Sequence, residues 1–203
     1  MTNTFVDLPG GAPCPEAVIR AGHSGVIGYL YPAAESSFSA LTAHRYRDAG
    51  LDVLLVWRAS ARRELSGDHG GRQDGELAGQ LASARDYPRR CTVYASVGLD
   101  AAPADLQSIK DYLRGFADAS GHPVGVFGSL RVVEEVLASG AARHGWQTQA
   151  WSGACVCVRA HLYQRVSHRL PRIAGQSPDS YHENIVLQQD CGAWGVHSTT
   201  RTR

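Results

Sequence analysis

The chain lacks the features that announce a membrane protein, a metal centre or a disulfide scaffold. No apolar run approaches the roughly 20 residues needed to cross a bilayer. The start, Met1-Thr-Asn-Thr-Phe-Val-Asp7, has neither the basic region nor the apolar core of a secretory signal. On that reading the chain is cytoplasmic as written, or it is virion-associated or exported by a route that needs no signal. Cysteine is sparse: Cys14, Cys91, Cys155, Cys157 and Cys191 form no CxxC pair and leave one over, which excludes a disulfide framework. They read as small apolar packing residues. The formal net charge is only +1, so nothing draws the chain to nucleic acid or to an anionic membrane. Nine histidines come without HExxH or a carboxylate–histidine cluster, and His161 and His168 stand alone near a strand end, so no metal is expected. The glycines from Gly67 to Gly75 lack the Gly-Lys-Ser/Thr ending of a phosphate loop, and no GxSxG elbow is present. No cofactor is expected, and hydrolysis through serine, phosphate or metal is disfavoured.

What remains is an ordinary globule. A hydrophobic fraction of 43% against 19% charged residues, over 203 residues, suits one domain with a sizeable core. We expect a single domain over 1–197 and a loose tail over 198–203. Short apolar runs alternate with helical patterns along the chain. Strands are expected at Thr4–Leu8, Gly25–Tyr31, Leu51–Trp57, within Cys91–Asp100, and at Val124–Phe127. Helices are expected at Pro15–Ala21, Ser39–Ala49, Asp74–Arg85, around Leu106–Phe116 and from Leu130 to Gly140, with Glu64–Gln73 read as loop. After Gly140 only strand-like segments follow: Trp146–Trp151, His161–Arg165 and Asn184–Gln188. Strands alternating with helices imply βαβ units and a parallel sheet. Eight strands imply an α/β fold: a small (β/α)8, TIM-like barrel with reduced helices in the carboxyl-terminal third, below the usual length of about 250 residues.

In such barrels chemistry sits at the carboxyl ends of the strands. The stretch Cys91-Thr-Val-Tyr-Ala-Ser-Val-Gly-Leu-Asp100 begins as a buried strand and ends in an acid before a helix. Trp57 and Trp151 end their strands and could offer flat faces to a ligand, whereas Trp146 and Trp194 read as packing residues. Gln147, Gln149 and Trp151 share one face by alternation; if it points inward, Gln149 and Trp151 lie near the mouth. Arg58 reads as a loop residue.

The succession Phe5-Val-Asp7, Gly22…Tyr29-Leu30, Ala49-Gly-Leu-Asp-Val53…Val56-Trp57, Tyr94-Ala-Ser-Val97…Asp100-Ala, Gly125-Val-Phe-Gly128…Arg131-Val-Val133, Gly145-Trp-Gln-Thr148…Ala150-Trp-Ser-Gly153 and Asp190-Cys-Gly-Ala-Trp194 resembles the DUF1906 family. These are glycoside-hydrolase-like domains of actinobacteria and their phages, related to the family 25 muramidases. The resemblance implies a barrel with a sugar-binding cleft lined by acids and tryptophans, and bacterial cell-wall glycan as partner. Asp7 matches the acid of the first strand. Asp100 matches the second member of an acid-x-acid pair after the fourth strand, where Gly98 replaces the first. Glu183, in Tyr181-His-Glu-Asn184, is the candidate for a late acid.

Glycosidic cleavage usually takes two carboxyl groups, about 5–5.5 Å apart in retaining enzymes and roughly 6.5–9.5 Å apart in inverting ones. Asp7 and Asp100 are therefore the catalytic candidates, and Trp57, Tyr94, Gln149, Trp151 and Glu183 the substrate-binding ones. The function expected is a glycoside-hydrolase-like domain engaging peptidoglycan as a weak or degenerate muramidase. The alternative is a non-catalytic binding or structural module, such as a phage virion or cell-surface component with a protein partner.

Overall fold

The computed structural model describes residues 3–32, 38–166, 172–177 and 180–195. Eight strands close into a barrel in chain order: β1 (Thr4–Leu8), β2 (Gly25–Leu30), β3 (Asp52–Trp57), β4 (Val93–Ser96), β5 (Val124–Gly128), β6 (His144–Thr148), β7 (Leu162–Arg165) and β8 (His182–Val186). Phe5, Ile27, Leu54, Val56, Tyr94, Trp146 and Leu162 fill the lumen, while Val6, Val26, Val53, Leu55, Val93 and Val126 pack outward in a second apolar layer. Burial on both faces is why these strands read as continuous apolar runs.

The expected small α/β barrel is present, with one departure. β1 to β7 pair in parallel, but β8 runs antiparallel to both neighbours, with Asp7 opposite His182 and Arg165 opposite Glu183. A parallel pairing needs a crossover that returns the chain to its starting end. The last α-helix among the described residues is α5 (Leu130–Ala138). The expected tail, 198–203, and His168 lie outside the described residues.

The remaining helices are α1 (Pro15–Arg20), α2 (Ala40–Asp48), α3 (Gly67–Ser83) and α4 (Leu106–Ser120). Ser39 caps α2 by accepting the Thr42 N–H, and Ser129 caps α5 through Val132. α3 starts seven residues before the expected Asp74, directly after a 3-10 turn at Arg63–Ser66. The glycines of its first turns, which suggested a loop, belong to the helix, and a glycine stripe along it is required by packing. A Cβ on Gly71, Gly75 or Gly79 would stand 2.0, 2.4 and 2.4 Å from the carbonyl oxygens of Tyr112, Phe116 and Ser120 on α4.

The amino-terminal end of the barrel is closed by the segment after β8. Thr92 N–H donates to the Gly192 carbonyl at 2.8 Å, and Val53 and Trp194 form a bridge with N–H to O distances of 3.0 and 2.8 Å. Here His144 is buried, its Nδ1 2.8 Å from Thr92 Oγ1. Burial above all, and then the neighbouring His161, push its pKa from 6.5 down to about 4. The folded protein therefore holds this ring neutral while the unfolded chain takes a proton. The associated stability is complete above about pH 6.5 and is lost as pH falls toward 4, amounting to ~2 kcal/mol by pH 5. His161 is shifted in the same direction by burial. Urea midpoints at pH 7.5 and pH 5 should show the loss, and His144→Gln should flatten it; an unchanged slope in that variant would rule His144 out as its source.

Candidate functional site

The carboxyl ends of the strands form the face where the family resemblance puts a cleft. Asp7, at the end of β1, is fully buried in the lumen. Its Oδ1 accepts the His182 N–H at 3.1 Å and Asn184 Nδ2 at 3.0 Å. Its Oδ2 accepts the Tyr29 hydroxyl at 2.8 Å and Gln164 Nε2 at 3.4 Å, and lies 3.2 Å from His182 Nδ1. One carboxylate thus ties β1 to β2, β7 and β8. The His182 side chain is 46% exposed, and its hydrogen bond to Asp7 raises its pKa despite partial burial. His182, not Asp7, is the member of this pair that meets solvent.

Asp100 lies four residues beyond the end of β4 and is exposed. It lines a surface depression of about 300 Å³ with Leu130, Arg131, Glu134, Glu135 and Trp151. These residues follow β4, β5 and β6, so the depression belongs to the carboxyl-terminal face. Trp151 is 50% exposed and sits at φ 59°, a left-handed conformation that is a genuine outlier for an aromatic residue. The fold brings Asp100 and Trp151 together. It does not pair Asp100 with Asp7, which is sealed inside the lumen.

The other expected contacts move elsewhere. Trp57 points outward from β3, 1% exposed, and its indole N–H donates to Asp74 Oδ2 at 3.2 Å. Its place at a strand end suggested the cleft, but Leu54 and Val56 occupy the inner face. Tyr94 is inside the lumen and aims away from the mouth, its hydroxyl donating to the Cys191 carbonyl at 2.9 Å. On β6 the inner face carries Trp146. Gln147 is outside, bonded to the Cys155 carbonyl and the Cys157 N–H, and Gln149 accepts the Val166 N–H at 2.9 Å. Glu183 alternates with the lumen-facing His182 and Asn184 and pairs with Arg165 at 3.1 Å on the outer face.

Three polar residues at or below the mouth were not among the expected site residues. His182 and Asn184 could have been found from Asp7, because strand partners share a face. Glu64 had no such signal. It sits in the 3-10 turn after β3, 4% exposed, and lines the same cavity as distant Gly98. Its Oε1 has no partner among the described residues. Burial raises its pKa. A cavity of about 140 Å³ is lined by Glu64, Arg58, Ala59, Ser60, Ala61, Ser96 and Gly98. Among the described residues, no group of three or more His, Cys, Asp or Glu is arranged to hold a metal ion, and no helix is long and apolar enough to cross a membrane.

Comparison with known proteins adds the following. The barrel is similar to the Tat-secreted protein Rv2525c of Mycobacterium tuberculosis, solved in complex with L-tartrate. That match has a TM-score of 0.86 at 21% identity, covering 96% of this chain and 100% of that one. It is also similar to the bacterial lysozyme of Streptomyces coelicolor, with a TM-score of 0.58 at 12% identity over 93% of each chain. The modular autolysin LytC of Streptococcus pneumoniae, solved in complex with a synthetic peptidoglycan ligand, gives 0.61 at 14% identity, covering 91% of this chain and 46% of that one. A sequence search of curated proteins finds no match. At these identities the likenesses establish the fold. The profile of one family, described as the Rv2525c-like, glycoside hydrolase-like domain, matches residues 16–190, and the chain belongs to that family.

Proposed function

We propose that the domain binds the glycan of bacterial cell walls at its carboxyl-terminal face, with Trp151 and Asp100 as the principal contacts. The observation that carries this reading is the depression after β4, β5 and β6. There a half-exposed indole, held at φ 59°, stands beside carboxylates of Asp100, Glu134 and Glu135. A flat apolar face next to carboxylate acceptors suits a sugar ring, which presents C–H groups on its faces and hydroxyl donors around its edge. Similar folds occur in a lysozyme and in an autolysin solved with a peptidoglycan ligand.

The same geometry disfavours efficient hydrolysis by Asp7 and Asp100. Two-carboxylate cleavage needs both groups at the scissile bond, and Asp7 is fully buried under its hydrogen-bond partners. The test is incubation with purified actinobacterial cell walls, following turbidity, released reducing sugar and co-sedimentation. Wild type should sediment with the walls without clearing them. Trp151→Ala should weaken sedimentation roughly tenfold, on the scale of burying one aromatic face. Clearing that vanishes in Asp100→Asn would overturn the binding-module reading in favour of a hydrolase. Neither clearing nor sedimentation would remove glycan as the ligand and direct attention to a protein partner.

A further inference from the structure

A second polar site on the same face has no part in the depression around Trp151. It is the cavity between the ends of β3 and β4, with Glu64 in its wall. Glu64 is 4% exposed, yet Oε1 has no hydrogen-bond partner among the described residues. A buried carboxyl oxygen left without a partner costs free energy, and such groups call for an explanation. The explanation is not a tight fit with neighbouring side chains. A Cβ on Gly98 would meet nothing within 4 Å, so space lies open beside this residue of the same cavity wall. The strand end where the family resemblance expects an acid carries Gly98, and Glu64, from the turn after β3, lines the same cavity.

We propose that Glu64 is a ligand-binding residue of the mouth, its carboxyl hydrogen-bonding a hydroxyl of a saccharide seated in the β3–β4 cavity. The proposal rests on the reading of the domain as a glycan binder and deepens it by adding a second contact point. Two observations support it beyond the unpartnered oxygen. The cavity holds about 140 Å³, room for several waters or a portion of one sugar residue. Its wall otherwise comes from Ala59, Ser60, Ala61, Ser96 and Gly98, small residues that block nothing, with Arg58 as the charged member.

The charged and titratable groups around Glu64 come from three elements. Arg58, Arg62 and Arg63 belong to the segment after β3; Asp74 belongs to α3; Tyr112 belongs to α4. Arg63 is engaged by Asp74 at 3.1 Å, and the Tyr112 hydroxyl donates to Asp74 at 2.6 Å. Burial is the largest influence on Glu64 and keeps the proton on the carboxyl beyond the ordinary glutamate range. The donor is present while that proton is held and disappears as pH rises past its departure. A glutamine at this position keeps an N–H donor at every pH, and an alanine has none.

The experiment measures co-sedimentation of wild type, Glu64→Gln and Glu64→Ala with protein-free peptidoglycan sacculi across pH 4.5 to 8. Folding of each variant is checked by its urea midpoint. Wild-type affinity should fall about threefold to tenfold as pH rises, the scale of one hydrogen bond. Glu64→Gln should lose the part of that dependence due to Glu64 and stay near the acid-side affinity, while Glu64→Ala should bind weakly throughout. His182 titrates equally in all three proteins, so the difference between wild type and Glu64→Gln isolates Glu64. Wild-type binding that Glu64→Ala and Glu64→Gln reproduce at every pH would overturn the proposal and leave the glycan reading standing. Failure of wild type to sediment at any pH would overturn both.

Discussion

Asp7→Ala should lower the stability of the domain by about 3–5 kcal/mol, the range measured when one partner of a buried polar or ionic cluster is removed. The carboxylate is fully buried and accepts the Tyr29 hydroxyl, the His182 backbone N–H and the Asn184 amide at 2.8 to 3.1 Å. Each of these groups loses this shared acceptor at once, at a seam where β8 runs antiparallel to β1. Asp7→Asn keeps the shape but turns one acceptor oxygen into a donor, so an intermediate loss is expected. Urea denaturation measures both. A second readout separates a positioning role from a merely structural one. The hydrogen bond to Asp7 raises the His182 pKa, so the imidazole titration followed by NMR should move down in Asp7→Asn. If instead Asp7→Ala were as stable as wild type and lost an activity on cell walls, Asp7 would be an accessible catalytic group and the description of it as a strand tie would be wrong.

That result bears on how much of the site could be seen in the sequence. Alternation of short apolar runs with amphipathic helices disclosed the barrel, because every parallel strand needs a crossover before it can pair. Asp7 was visible through the family resemblance, as the acid at the end of the first strand. Parity was the harder problem. β3 is apolar on both faces, so nothing in Asp52–Trp57 says whether Trp57 joins Leu54 and Val56 inside or Val53 and Leu55 outside. On β6 the alternation was right but the facing was not, and Gln149 went outward with Gln147. Glu183 fell to parity as well: β8 pairs from His182 to Val186, and its even-numbered residues look inward. Asp100 and Trp151 could be named singly, but their meeting depends on how three successive strand ends fan around the barrel. Glu64 was out of reach altogether. It lines one cavity with Gly98 through tertiary structure alone, and a glutamate in a segment rich in Gly, Asp and Arg has no local mark.

The glycines at the start of α3 were misread as loop through local propensity, and the glycine stripe of this helix yields the other large expected effect. In an exposed helix Gly→Ala gains roughly 0.5–1 kcal/mol. Gly75→Ala should instead destabilise the domain by about 2–3 kcal/mol, the usual scale of overpacking. Its Cβ would lie 2.4 Å from the Phe116 carbonyl oxygen and 2.9 Å from the Phe116 Cα, and a backbone contact cannot rotate away. Only a wider separation of α3 from α4 relieves it, and the stripe continues through Gly71 and Gly79 with equally close contacts. The consequence reaches the mouth. Asp74, adjacent on α3, holds Arg63 at 3.1 Å and accepts both the Tyr112 hydroxyl of α4 and the Trp57 indole of β3. A shift of α3 therefore disturbs the turn that carries Glu64. Gly98→Ala is the control, because its Cβ meets nothing within 4 Å and its backbone is outside the left-handed region. Urea midpoints should separate the two variants cleanly, Gly98→Ala staying within about 0.5 kcal/mol of wild type. If Gly75→Ala proved as stable as the control, the helices would be able to part at little cost, and close backbone contact would not be the reason for the glycines in α3.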